Sequence, residues 1–141
     1  MDLGLQNKII VVTGGARGIG EGIVRVLAGE GAIPVIVGRS ERDNRKLKQE
    51  IESAGGHAFS VEAELGDPLA CESAVLSVIR KFGCMEGLVN NAGVNDGVGL
   101  ETGNYEQFMM SLHNNLVHYY LMAHFALPYL KKSKGEIVNI S

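Results

Sequence analysis

The chain has 141 residues, 45% of them hydrophobic and 21% charged, with a formal net charge of −3. A chain of this length can bury roughly 70% of its unfolded surface, so a core can form without disulfides or a structural metal. The small negative charge gives no electrostatic basis for nucleic-acid binding, and no apolar run approaches the ~18 residues of a membrane span.

The first element, residues 9–13, is a continuous apolar run rich in β-branched side chains. Such a run reads as a strand covered on both faces, as in a parallel sheet. It leads into Gly14, Gly18 and Gly20, and a helix follows at once over residues 18–30, with Ile19, Ile23, Val26 and Leu27 expected on its apolar face and a stop at Gly31. Strand, glycine turn, helix is the order in which an α/β protein presents backbone N–H groups to an anion. The glycine spacing is Gly-x-x-x-Gly-x-Gly with no Gly-Lys-Ser/Thr, which disfavours a nucleoside-triphosphate loop.

Residues 33–38 form a second buried strand, with Pro34 near its start, where a missing N–H is tolerated. Ser40 can cap the next helix, which is charged along one side and ends at Gly55-Gly56. Residues 57–61 are a shorter third strand. Asp67 and Pro68 suit the N-cap and first position of a helix running to Phe82, and Gly83 ends it. Residues 87–90 are a fourth strand, closing in Asn90-Asn-Ala-Gly93.

After a glycine-rich loop comes a long helix over 105–132, with Phe108, Leu112, Leu116, Ala123 and Leu127 expected on one buried stripe and Pro128 bending its last turns. A fifth strand starts at Glu136. Strands joined by helices run parallel with right-handed crossovers. The expected order is therefore 3-2-1-4-5 in one α/β domain over 1–141, a doubly wound sheet with helices on both faces. Ligands bind such sheets at the carboxyl ends, where the order reverses between strands 1 and 4. The glycine turn and Asn90–Gly93 meet there.

The second strand bears on which ligand fits. NAD-binding folds usually carry an acid there for the ribose 2′-OH. Here the strand ends Gly38-Arg39-Ser40, with no carboxylate before Glu41. Arg39, Ser40 and the nearby Arg17 suit a 2′-phosphate, because guanidinium binds phosphate through paired hydrogen bonds. NADP is expected in preference to NAD.

Three motifs in order, Thr13-Gly-Gly-Ala-Arg-Gly-Ile-Gly20, Asn90-Asn-Ala-Gly93 and Ile137-Val-Asn-Ile-Ser141, resemble the short-chain dehydrogenase/reductase family along the whole chain. The resemblance implies a three-layer Rossmann fold and hydride transfer between a nicotinamide and a hydroxyl or carbonyl. It assigns Gly14, Ala16, Arg17, Gly18, Ile19 and Gly20 to the pyrophosphate end of the cofactor and Arg39 and Ser40 to the adenosine phosphate. Asn91, Ala92 and Gly93 fall to its central part. Glu64 and Leu65 stand where the family has Asp and an apolar residue against adenine. Asn115 matches a catalytic Asn that sits at a helix irregularity and orders a water in a proton relay.

The family's catalytic Ser, its Tyr-x-x-x-Lys and its strands 6 and 7 would all fall beyond Ser141. The expectation is an N-terminal part of a longer enzyme, without turnover of its own. Tyr119 and Tyr120 do not replace the missing pair, since no Lys follows either at the fourth position. The stretch 94–100 and the run 115–124 are similar to the family's L-fucose (aldose) dehydrogenases. Asn95 and Asp96 are then candidates to meet a hydroxyl-rich sugar, or else residues that cap a turn.

A 3-oxoacyl-thioester reductase of the same family and a non-catalytic dinucleotide-binding module are the alternatives. A methyltransferase is disfavoured by Arg39. His113, His118 and His124 lack a zinc-type partner set and read as helix-surface or interface residues, and no metal is expected. The resemblance also implies helix-to-helix subunit packing, and the apolar excess on the 105–132 helix fits a homo-oligomer, dimer or tetramer, formed through it. Cys71 and Cys84 are isolated and read as reduced thiols of a cytoplasmic protein. The N-terminus shows no basic region followed by an apolar core, so no signal peptide is expected.

Overall fold

The computed structural model describes residues 1–141. Five parallel strands alternate with helices: β1 (Ile9–Thr13), α1 (Gly18–Gly29), β2 (Ile33–Gly38), α2 (Glu41–Ser53), β3 (Phe59–Glu62), α3 (Pro68–Phe82) and β4 (Gly87–Asn90). Then follow α4 (Tyr105–Leu112), a π-helical turn (His113–Val117), α5 (His118–Ser133) and β5 (Glu136–Asn139). The sheet order is β3-β2-β1-β4-β5, and every pairing is parallel. This is the expected doubly wound Rossmann arrangement. No helix is long and apolar enough to cross a membrane.

Two-residue alternation sorts the buried strand residues between the faces. Ile9 and Val11 of β1, with Val35 and Val37 of β2, pack on Cys71, Ala74, Val75 and Val78 of α3 and on Met122, Ala126 and Leu130 of α5. Ile10, Val12 and Ile36 turn the other way, onto Val24 of α1 and Leu47 and Ile51 of α2. Both central strands are therefore covered twice, which is why they read as unbroken apolar runs.

The helix boundaries follow local chemistry. The Ser40 hydroxyl accepts the Asp43 N–H at 3.3 Å, and the Asp67 carboxylate accepts the Leu69 N–H at 3.0 Å with Pro68 at the first position. Gly83 closes α3 with φ of 75°, in the left-handed region that glycine enters freely. The third strand lies one to two residues later than expected, over Phe59–Glu62, in register with Val35–Gly38.

The apolar stripes need correction. On α1 the buried residues are Gly20 and Val24, while Ile19 and Val26 are exposed. On the long helix, Phe108, Leu116 and Leu127 are exposed, and the buried line is His118, Met122, Ala126 and Leu130. Helix α4 buries none of its residues, and within α5 the π-turn is the physical cause, displacing the buried line by one residue from Ala123 and Leu127 to Met122 and Ala126. The π-turn widens one turn of the helix, so a stripe drawn at constant helical period across 105–132 loses phase near residue 115.

Candidate cofactor cleft

Thr13 ends β1 fully buried, and its hydroxyl oxygen accepts the N–H groups of Asn91 at 2.9 Å and Ala92 at 3.1 Å. The Asn91 amide returns the link, donating to the carbonyls of Thr13 at 3.1 Å and Gly14 at 3.3 Å. The segments that leave β1 and β4 are thus bolted together at the switch point. A Cβ at Gly14, whose φ is 64°, would lie 2.9 Å from the Ala92 Cα, and one at Gly20 would lie 2.2 Å from the Gly14 carbonyl oxygen. Glycine at these two places lets the turn close on the Asn91 segment.

Beside this junction lies a cleft of about 600 Å³. Gly14, Ala16, Arg17, Gly18 and Ile19 line it from the first turn, and Arg39 and Ser40 from the end of β2. Glu64 and Leu65 follow from the end of β3, and Asn91, Ala92 and Gly93 from the end of β4. Every residue assigned to the cofactor lies in this wall except Gly20, which packs directly beneath it. Exposed Ile19 is explained by the same geometry, because its side chain faces the cleft rather than the core.

The N-terminus of α1 opens into the cleft. Ser40, Asp67 and Asn104 each cap their helix with a side-chain oxygen, but Arg17 at the N-cap of α1 makes no such bond. The first N–H groups of α1 therefore keep their capacity and their share of the helix dipole for an incoming anion. Gly18, at φ of 53°, has nothing within 4 Å of where a Cβ would stand, so the missing side chain leaves open space above those donors. A dinucleotide pyrophosphate fits this chemistry.

Sequence reasoning missed part of the wall. Asp43 and Asn44 enter from the first turn of α2, and His113, Asn114 and His118 from the π-turn and the start of α5. Asp43 binds Arg17 through one carboxylate oxygen, which takes Arg17 Nε at 2.9 Å and also contacts its Nη2. That bond holds the Asp43 carboxyl below the usual carboxylate range, with help from Ser40. Arg39 forms no ion pair. His118 is 4% exposed, with Nε2 2.9 Å from the Asn114 carbonyl and Nδ1 buried without a partner. A π-turn that turns its residues toward a cleft has no signature in apolar spacing, so only chain folding brings these groups to light.

Asn115 lies in the π-turn, at the helix irregularity expected for it. Its Oδ1 accepts the Val94 N–H at 2.7 Å, and its Nδ2 donates to the Ser111 carbonyl at 3.0 Å. A Cβ at Gly93 would stand 2.9 Å from that Oδ1, so Gly93 makes room for the bond. Asn115 thereby fixes where the loop after β4 leaves the cleft.

Asn95 and Asp96 do not line the cleft. Asn95 Oδ1 accepts the Gly97 N–H at 3.3 Å, a turn-capping bond, and Asp96 accepts the Ser111 hydroxyl at 3.0 Å. Tyr119 donates its hydroxyl to the Ile140 carbonyl at 2.7 Å and so anchors the end of β5. No group of three His, Cys, Asp or Glu side chains stands as metal ligands would.

Residues 8–141 match the short chain dehydrogenase family. The chain is 36% identical over 137 residues to L-fucose dehydrogenase of Mus musculus, covering 96% of this chain and 49% of that protein. The crystal structure of Cj0485 dehydrogenase superposes with a TM-score of 0.88 at 41% identity, over 99% of this chain and 53% of that one. A metagenomic short-chain oxidoreductase in complex with NADP superposes with a TM-score of 0.88 at 35% identity, over 97% of this chain and 63% of that one. The chain spans about half the length of the curated relatives it matches.

Proposed function

Because the chain belongs to the short-chain dehydrogenase/reductase family, we propose that it holds NADP for an oxidoreductase acting on a hydroxyl or carbonyl group. The observation that carries this reading is the cleft itself: uncapped α1 donors at one end, and Arg39 and Ser40 directly after β2, where no carboxylate stands before Glu41. The free α1 N–H groups would hold the pyrophosphate. Arg39, which has no carboxylate partner, would meet the 2′-phosphate. Leu65 would offer apolar surface to the base and Glu64 an acceptor, with Ala92 beside the central part. The nicotinamide, when bound, supplies the hydride chemistry. This chain's part is to orient it: Asn91 locks the floor to β1, and Asn115 holds the backbone at Val94.

A sugar such as L-fucose is the proposed substrate, on the strength of the likeness to L-fucose dehydrogenase. Asn95 and Asp96 would need to leave their present partners to take part. The exposed Phe108, Leu116, Tyr120 and Leu127 support packing of this helical face against a second copy.

Titration of the purified natural gene product with NADP and NAD tests the cofactor. NADP is expected to bind more tightly, and Arg39→Ala to weaken NADP by about tenfold or more while sparing NAD, since hydrogen bonds to charged groups contribute ~1.5–3 kcal/mol. Equal binding of both cofactors by the natural protein would refute the NADP reading. Oxidation of L-fucose with NADP, against reduction of an acetoacetyl thioester, separates the substrate classes.

A further inference from the structure

We infer that Asp43 is a specificity-determining residue, which competes with the cofactor's 2′-phosphate for Arg17 and so narrows the preference for NADP over NAD. The inference rests on the NADP reading above and adds a residue that acts against it.

Three observations carry it. First, Arg17 is not free. Its Nε and Nη2 both go to one oxygen of Asp43, which lies 26 positions along the chain. That edge of the guanidinium is the one that would otherwise offer paired donors to a phosphate.

Second, the two partners are unequally held. The Asp43 side chain is 17% exposed and that of Arg17 is 77% exposed. Asp43 sits in the first turn of α2, with its own N–H on the Ser40 hydroxyl and its second oxygen 3.6 Å from Arg42 Nε. The carboxylate is therefore the fixed member, and the long, solvated arginine is the one able to change partners.

Third, Asp43 lines the same cleft as Arg17, Arg39 and Ser40. Its charge offsets one of the two cationic groups gathered there. A 2′-phosphate brings up to two negative charges to a place where one carboxylate already stands. A 2′-hydroxyl brings no charge, can donate to a carboxylate or an amide oxygen alike, and does not draw Arg17 away from Asp43. The carboxylate thus acts on the difference between the two cofactors, which is where specificity resides.

Asp43→Asn keeps the size of the side chain and removes its charge. In the purified natural gene product, affinity would be measured for NADP, NAD and adenosine 2′,5′-bisphosphate. The expected result is tighter NADP and bisphosphate binding, on the order of fivefold to tenfold from the loss of a nearby like charge, with NAD unchanged. Arg17→Gln supplies the second arm: in that background Asp43→Asn should no longer favour NADP.

Tightening of equal size in the Arg17→Gln background overturns the competition, because it would show a plain field effect. Weaker NADP binding by Asp43→Asn also overturns it, since Asp43 would then pre-position Arg17. If the natural protein prefers NADP and Asp43→Asn leaves the NADP-to-NAD ratio unchanged, only the role of Asp43 fails. If neither protein prefers NADP, the cofactor reading fails, and this inference with it.

Discussion

His118 packs its imidazole between the cleft and the core, and its charge state follows from that position. Burial lowers its pKa below the usual 6.5, and nearby His113 acts in the same sense; Glu64 and the Asn114 carbonyl oppose them. The neutral ring donates from Nε2 to Asn114 and leaves Nδ1 buried without a partner. The folded state thus resists a proton that the unfolded chain accepts. His118 contributes stability above the unfolded pKa, and that contribution is lost as pH falls from about 6.5 toward the lower folded value. Thermal midpoints between pH 7.5 and 5.5 should therefore fall more steeply for the natural protein than for His118→Phe, which keeps an aromatic ring and cannot titrate. Cys71, buried under Leu65, has its thiol pushed up to about 11 by desolvation first and by Asp67 second. It stays a neutral core side chain at ordinary pH.

At the scale of elements, α1 separates what a helical period can and cannot reveal. The existence of the helix, its start at Gly18 and its stop before Gly31 were legible from glycine placement. Which face is buried was not. Val24 is fully buried against Val12 and Ile36, whereas Val26, two residues on, is exposed. Val24→Ala should cost about 2 kcal/mol through lost burial and the cavity left behind. Val26→Ala should be neutral or stabilising by up to ~0.5 kcal/mol, because alanine favours helix. Urea denaturation of the two variants reads both. The misreading has a physical source. Ile19 is apolar because it faces the cleft, so an axis drawn through it is rotated away from the core. The long helix fails in the same way, since the π-turn that carries Asn115 shifts the apolar phase between α4 and α5.

At the scale of the whole molecule, the cleft is a product of the assembled sheet. The cleft wall is assembled from the ends of β1, β2, β3 and β4 and from the π-turn, segments with no shared site in the unfolded chain. A cofactor that binds only the assembled wall stabilises the fold by mass action, by about 2.7 kcal/mol at ~100 times its Kd. NADP should accordingly raise the Tm by several degrees in a concentration-dependent way, and more than NAD at equal concentration. An equal rise for both would contradict the cofactor preference.

Strand order, helix caps and the place of the cleft could be deduced from the residues alone. Caps and turns rest on chemistry within a few positions, Ser40 and Asp67 as caps and glycines where backbone must pass close, while strand order rests on the alternation of strands with helices and the hand of their crossovers. The resemblance to the family added wall residues in all four loops that follow β1 to β4. Tertiary structure decided the rest. It paired Arg17 with Asp43, brought His113 and His118 into the cleft wall, and tied Asn95 and Asp96 into the outer loop instead of the cleft. Charge partners and burial depend on groups distant in sequence, and apolar spacing carries no record of a π-turn or of a cleft-facing isoleucine.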